Sequence, residues 1–105
     1  MYYFHVGATK SGAHSWWLYS PNHEQVAWAG ETFASPSNAQ RAAAAFKLGA
    51  ATARYDIYVD GGVAWRWRAW RSSDKVAASG ESFSSPEAAE DAADRVRRNA
   101  GGATL

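Results

Sequence analysis

The spacing of apolar residues along this chain changes from two to about three and a half and back, and the change happens twice. From Tyr2 to Val6 the side chains alternate, with Tyr2, Phe4 and Val6 on one side and Tyr3 and His5 on the other, as in a half-buried strand. Gly7 to Ala13 reads as a loop. Ser15 to Tyr19 alternates again, with Trp17 and Tyr19 on one face and Trp16 and Leu18 on the other. Ser20 to Glu24, with Pro21 and Asn22, predicts a turn, and Gln25 to Ala29 a third strand that Gly30 interrupts as a bend. Then Ala39, Ala42, Ala43 and Phe46 recur at helical spacing. Ser35 suits the N-cap, Pro36 the first helical position and Gly49 the stop.

The second half follows the same plan. Tyr55 to Val59 alternates, Asp60-Gly61-Gly62 signals a tight hairpin, and Val63 to Trp70 is a long strand. There Val63, Trp65, Trp67 and Ala69 share one face, and Ala64, Arg66, Arg68 and Trp70 the other. Arg71 to Asp74 turns, Lys75 to Ser79 is the next strand, and Ser85-Pro86 opens a helix that reaches about Asn99. Its stripe of Ala89, Ala92, Ala93 and Val96 mirrors the first. With an offset of fifty, residues 25–47 align with 75–97 without a gap, and the shared residues include Val26/Val76, Gly30/Gly80, Glu31/Glu81, Phe33/Phe83 and Ser35/Ser85. Trp17 and Trp67 keep the same offset, while the first hairpin of the first unit reads as longer. The predicted fold is α+β: two tandem β-β-β-α units, residues 1–49 and 54–100, forming one antiparallel sheet with two helices packed on it. One unit of this size with an alanine-faced helix has too little core to stand alone. Two in one chain form an internal pseudo-dimer, so a monomer is expected.

Several stretches of the second unit also resemble a known family. They are Tyr55-Asp56-Ile57-Tyr58-Val59-Asp60, Trp65-Arg66-Trp67-Arg68, Val76-Ala77 leading to Gly80-Glu81-Ser82-Phe83, and the Ser85 helix with its Arg97-Arg98-Asn99-Ala100 end. Together they look like the repeat of the YegP-like family of small bacterial and archaeal proteins. The likeness covers Tyr55 to Ala100, and the first unit departs from it at Trp16-Trp17-Leu18-Tyr19. The resemblance implies a three-strand, one-helix unit used in pairs, with helices exchanged between halves. It brings no catalytic or binding residues.

Composition narrows the function. The chain has 105 residues, no cysteine, eleven Lys+Arg, ten Asp+Glu and a net charge of +1. Disulfides and thiol chemistry are therefore excluded, and no global field draws it to nucleic acid or an anionic membrane. Without a signal-peptide pattern or a membrane-length apolar run, a cytoplasmic location is expected. Fifteen aromatics, six of them Trp, sit among many alanines, so large side chains packed on small ones are expected in the core.

Positions kept in both units are best assigned to that core: Trp17, Trp67, Val26, Val76, Phe33 and Phe83. Positions that differ point to function. On the opposite strand face Trp16, Leu18, Arg66, Arg68 and Trp70 are expected to meet solvent, and interleaved Trp and Arg suits stacking on bases and pairing with phosphates. Between Arg54 and Lys75, however, five basic residues meet three acidic ones, which is not a basic stripe. A protein or peptide contact is therefore preferred over single-stranded nucleic acid, with Arg stems lying across aromatic rings as the plainest reading. His5, His14 and His23 have no Cys or carboxylate cluster to complete a metal site, so no metal or cofactor is expected. Glu31 and Glu81 are expected to accept backbone N–H groups at the bend rather than act as a catalytic pair. No nucleophile elbow or phosphate loop occurs, so the expected function is a non-catalytic interaction or scaffold module.

Overall fold

Each helix starts where a serine leaves extended backbone. In the computed structural model, which covers residues 1–105, the Ser35 Oγ accepts the Asn38 N–H at 3.1 Å and opens α1 (Pro36–Gly49). The Ser85 Oγ accepts the Ala88 N–H at 3.1 Å and opens α2 (Pro86–Asn99). Both caps satisfy donors that a helix start leaves free. Gly49 is not a left-handed stop, since α1 runs through it to Ala50 in right-handed geometry. A side chain there would crowd the Arg71 guanidinium, which donates to the Ala45 carbonyl at 3.0 Å, in the last turn of α1, where a cation is favoured.

The strands are β1 (Tyr3–Ala8), β2 (His14–Tyr19) and β3 (Gln25–Trp28), then β4 (Arg54–Asp60), β5 (Ala64–Arg71) and β6 (Asp74–Ala78). They form one antiparallel sheet in the order β1-β2-β3-β6-β5-β4, joined at its centre by Trp28 opposite Ala78. After each third strand the chain bends at Gly30 and Gly80, whose φ angles of +78° and +73° favour glycine. A Cβ at Gly80 would also lie 3.0 Å from the Trp28 ring. The outer edge of β1 is covered: Thr104 bridges Tyr3 in parallel, its N–H donating to the Tyr2 carbonyl at 3.0 Å and its carbonyl accepting the Phe4 N–H at 2.8 Å. Nothing bridges the outer edge of β4.

Both helices lie on the same face of the sheet. α1 packs on β1 and β2 and reaches β6, while α2 packs on β4 and β5 and reaches β3. Each helix therefore covers the hairpin of its own half, which corrects the exchange of helices implied by the family likeness. Under them sit Phe4, Trp16, Leu18, Ala27, Phe46, Trp67, Ala69, Ala77 and Val96, all buried. Trp16 stacks on Phe46 at 5.2 Å and meets Phe4 edge-on, and Trp67 meets Tyr55 at 5.7 Å. Val26, Val76, Phe33 and Phe83 are partly buried against this cluster, as expected for core positions.

The two tryptophans of β2 exchange the roles expected of them. Trp16 and Leu18, expected at the surface, are 0% exposed, whereas Trp17, expected in the core, is half-buried on the helix-free face beside His5. The reason is register. Leu18 pairs with Ala27, nine positions on, but Ala69 pairs with Ala77, only eight positions on. One extra residue in the turn after β2 shifts the strand match from fifty to fifty-one, and a slip of one residue turns every side chain over. Trp67 therefore corresponds to Trp16. The extra length is not in the first hairpin, because Ala8 to His14 and Val59 to Trp65 have the same spacing.

Replacing a fully buried aromatic by alanine costs about 3–5 kcal/mol, so Trp16→Ala is expected to abolish or nearly abolish folding in urea titrations. Trp17→Ala is expected to cost only about 1 kcal/mol, and equal losses would contradict the assignment of the two faces.

Candidate interaction surface

No element covers the second face of the sheet, and its side chains form a continuous aromatic and cationic surface. On the first half Tyr3 stacks on Tyr19 at 5.3 Å and His5 on Trp17 at 5.8 Å, and Trp17 lies opposite Trp28. The Tyr3 hydroxyl and His23 Nδ1 share a hydrogen bond of 2.8 Å. Across the β3–β6 junction the second half contributes Arg66, Arg68 and Trp70 from β5 and Arg54, Asp56 and Tyr58 from β4. The Arg68 guanidinium lies 3.9 Å from the Tyr58 ring centre, close enough for cation–π attraction, and Arg54 lies 5.7 Å from Trp70. A shallow groove of about 350 Å³ runs over the junction between Trp28, Tyr58, Arg66, Arg68 and Lys75.

The charges on this face are confined to one half and largely paired. Asp60 Oδ2 lies 3.4 Å from Arg66 Nε, and Asp56 Oδ2 lies 3.6 Å from Arg68. Strands β1 to β3 contain no Lys or Arg at all. The Nε atoms of Arg66 and Arg68 and the Trp70 indole nitrogen are shielded from water and make no hydrogen bond, so they are not donors that a ligand on this face could reach. Of the five residues expected on this face, Arg66, Arg68 and Trp70 are brought together, while Trp16 and Leu18 are in the core. Tyr3, Trp17, Tyr19, Trp28 and Tyr58 were not anticipated here. Comparing the turn lengths after β2 and β5 would have found Trp17 and Tyr19.

Other expected groups have different environments. The Glu31 and Glu81 side chains are exposed, and it is their main-chain carbonyls that are held, by the Ser15 hydroxyl at 2.9 Å and the Ser79 hydroxyl at 2.8 Å. The expected carboxylate contacts at the bend are not made. His5 faces Trp17 and His14 pairs with Ala8, so these two do not meet, and no group of three His, Asp or Glu converges. No helix is long and apolar enough to cross a membrane.

A second concavity, about 610 Å³, opens between β4 and α2. Its floor is Ala53, Tyr55 and Ile57, and its helix side includes Glu90, Asp91, Asp94 and Arg97. Burial pushes the Tyr55 hydroxyl far above the ordinary phenol range, against the opposing pull of the Arg97 charge. The hydroxyl donates to the Ala50 carbonyl at 2.8 Å. Asp94 accepts from Arg97 and from Arg98 Nε, and the Arg97 hydrogen bond above all holds its carboxyl below the usual range.

Fold and surface together define an α+β protein with one six-stranded antiparallel sheet, helices on a single face and an aromatic face left open. Its fold is that of YegP-like proteins. It superposes on the solution structure of the UPF0339 protein SO3888 from Shewanella oneidensis with a TM-score of 0.80 at 16% identity, over 95% of this chain and 85% of that one. Against yegP from E. coli, a protein of unknown function, the TM-score is 0.82 at 14% identity, over 98% of this chain and 89% of that one. No family model and no curated protein matches the sequence.

A raised phenol pKa stabilises the folded state fully below the unfolded value, near 10, and that stabilisation is lost as pH rises toward the folded one. Tyr55→Phe is therefore expected to lower the melting temperature at pH 8 through the lost hydrogen bond. It should also flatten the fall in melting temperature above about pH 10. An unchanged alkaline slope would contradict the burial of this hydroxyl.

Proposed function

We propose that the protein is a non-catalytic interaction module, built as an internal pseudo-dimer of two tandem units, which binds a protein partner on its helix-free sheet face. The observation that carries this reading is the composition and layout of that face. Three tryptophans, three tyrosines and three arginines are what the centres of protein interfaces concentrate. Lysine is confined to one edge of the groove. The pseudo-dimer reading is supported by matched hydrogen bonds: Trp16 and Trp67 carbonyls accept the N–H groups of Ala29 and Ser79, and Phe33 and Phe83 exchange paired bonds with His14 and Trp65.

Single-stranded nucleic acid is the second reading, favoured by the Arg68 guanidinium over the Tyr58 ring and by Arg54 beside Trp70. Against it, the part of the face richest in aromatics carries no cation, and two of the arginines already face aspartates. A ligand whose bases stacked on Trp17 and Trp28 would have its phosphates over uncharged strands, where the attraction that dominates such binding is missing.

The two readings separate by salt. Affinity capture on wild-type protein, on Trp17→Ala with Trp28→Ala, and on Arg66→Glu with Arg68→Glu is expected to retain a discrete protein that the aromatic variant loses. Retention should survive nuclease and a rise from about 50 to about 200 mM salt, which weakens phosphate-driven binding by orders of magnitude. Recovery of oligonucleotide that both salt and the arginine variant remove would instead establish nucleic-acid binding.

A further inference from the structure

We infer that the groove over the β3–β6 junction receives an acidic residue of the partner, Glu or Asp, carried on an extended segment beside an apolar residue that lies on Trp28. The inference rests on the reading of the helix-free face as a protein-binding surface, and it names the chemistry of what binds there.

The groove exists because the two units differ at one pair of positions. Trp28 and Ala78 match in the gapless alignment of the units and stand opposite each other where β3 meets β6. One carries an indole and the other a methyl group, so a large side chain stands beside an unfilled space. Gly30 and Gly80, which also line that space, add no side chains to it. The result is an open groove of about 350 Å³ with Trp28 on one side and Tyr58, Arg66 and Arg68 on the other.

The charge of the groove also comes from one unit alone. Arg66 and Arg68 stand where β2, at the offset of fifty-one, has Ser15 and Trp17, and Lys75 stands where the first unit has Gln25. Lys75 crosses the junction toward Gly30. Its Cε and Nζ lie 3.1 and 3.5 Å from the place a Cβ would take there, so a side chain at residue 30 would crowd it. The glycine that bends the chain after β3 thus also leaves room for a cation in the groove.

The charges choose the occupant. Three cations and one carboxylate, Asp60, line the groove. Asp60 faces Arg66 and Asp56 faces Arg68, and the two arginine side chains remain 31% and 34% exposed. Lys75 is in no ion pair. One unanswered positive charge beside two partly exposed guanidinium groups attracts a single carboxylate and fixes where it sits. A run of phosphates would need successive free cations and would meet the two aspartates instead. A neighbouring apolar residue finds the Trp28 ring, with Trp17 opposite it on strands that carry no Lys or Arg.

The test is an NMR titration of the whole chain with the capped pentapeptide Ser-Leu-Glu-Leu-Ser. A second peptide carries Gln and a third phosphoserine in place of Glu. The Glu peptide is expected to shift the Trp28 indole N–H and the amides of Gly30 and Lys75, and the Gln peptide to bind about fivefold more weakly. Lys75→Met keeps an unbranched apolar stem and should make the two peptides bind alike while Trp28 still shifts. Lys10→Met, the same charge change in the β1–β2 loop, should leave the preference intact. Absence of shifts at about millimolar peptide, equal binding of the Glu and Gln peptides to the wild type, or a preference that survives Lys75→Met would overturn the inference. So would binding of the phosphoserine peptide about tenfold tighter than the Glu peptide, which would assign the groove to phosphate groups. In affinity capture, a protein that Trp17→Ala with Trp28→Ala loses and Lys75→Met keeps in full would overturn this inference alone. A protein that both variants keep would count against the protein-binding reading of the face as well.

Discussion

The structure depends on burying Trp16 and Trp67 on the same side of one sheet. An alanine-faced helix lies close to the strands below it and fills little volume, so bulk must come from the sheet. Trp16 with Phe46 and Phe4, and Trp67 with Tyr55, supply it. Once both indoles point to the helices, alternation along each strand sends Trp17, Arg66 and Arg68 to the other side. The join at Trp28 and Ala78 then lays the two halves of that side next to each other. The open face is a consequence of how the core is filled.

The halves are alike in the core and unlike elsewhere. The same carbonyl after the glycine bend is held by Ser15 of β2 in one half and by Ser79, just past β6, in the other, so a shared requirement is met from different places in the two units. The open faces differ more. The first half is aromatic and uncharged, and the second sets arginines against aspartates and tyrosine. A partner that used both would find apolar contact on one side and directional polar contact on the other, as protein interfaces combine them.

Much of this was legible in the sequence. The alternation of the strands, the Ser-Pro caps, the glycine bends and the alanine stripes each reflect a local physical cause, and these elements lie where that cause puts them. The side of the sheet on which each β2 residue sits was not legible from identity alone. Pairing Trp17 with Trp67 by a common offset ignored the longer turn between Leu18 and Ala27, and turn length is what sets register. The arginines and Trp70 were placed correctly because β5 defined its own faces. The cover that Thr104 gives β1, and its lack on β4, depends on a contact between distant parts of the chain that no local pattern encodes.

One sheet face is filled by helices and the other is open. The most direct measurement is the broadening of the six tryptophan ring signals by an inert paramagnetic agent dissolved in the solvent. Trp16 and Trp67, both 0% exposed, should be unaffected, while Trp17 and Trp28 are broadened. Broadening of Trp16 to the same degree as Trp17, or protection of Trp17 and Trp28 in the free protein, would contradict the account.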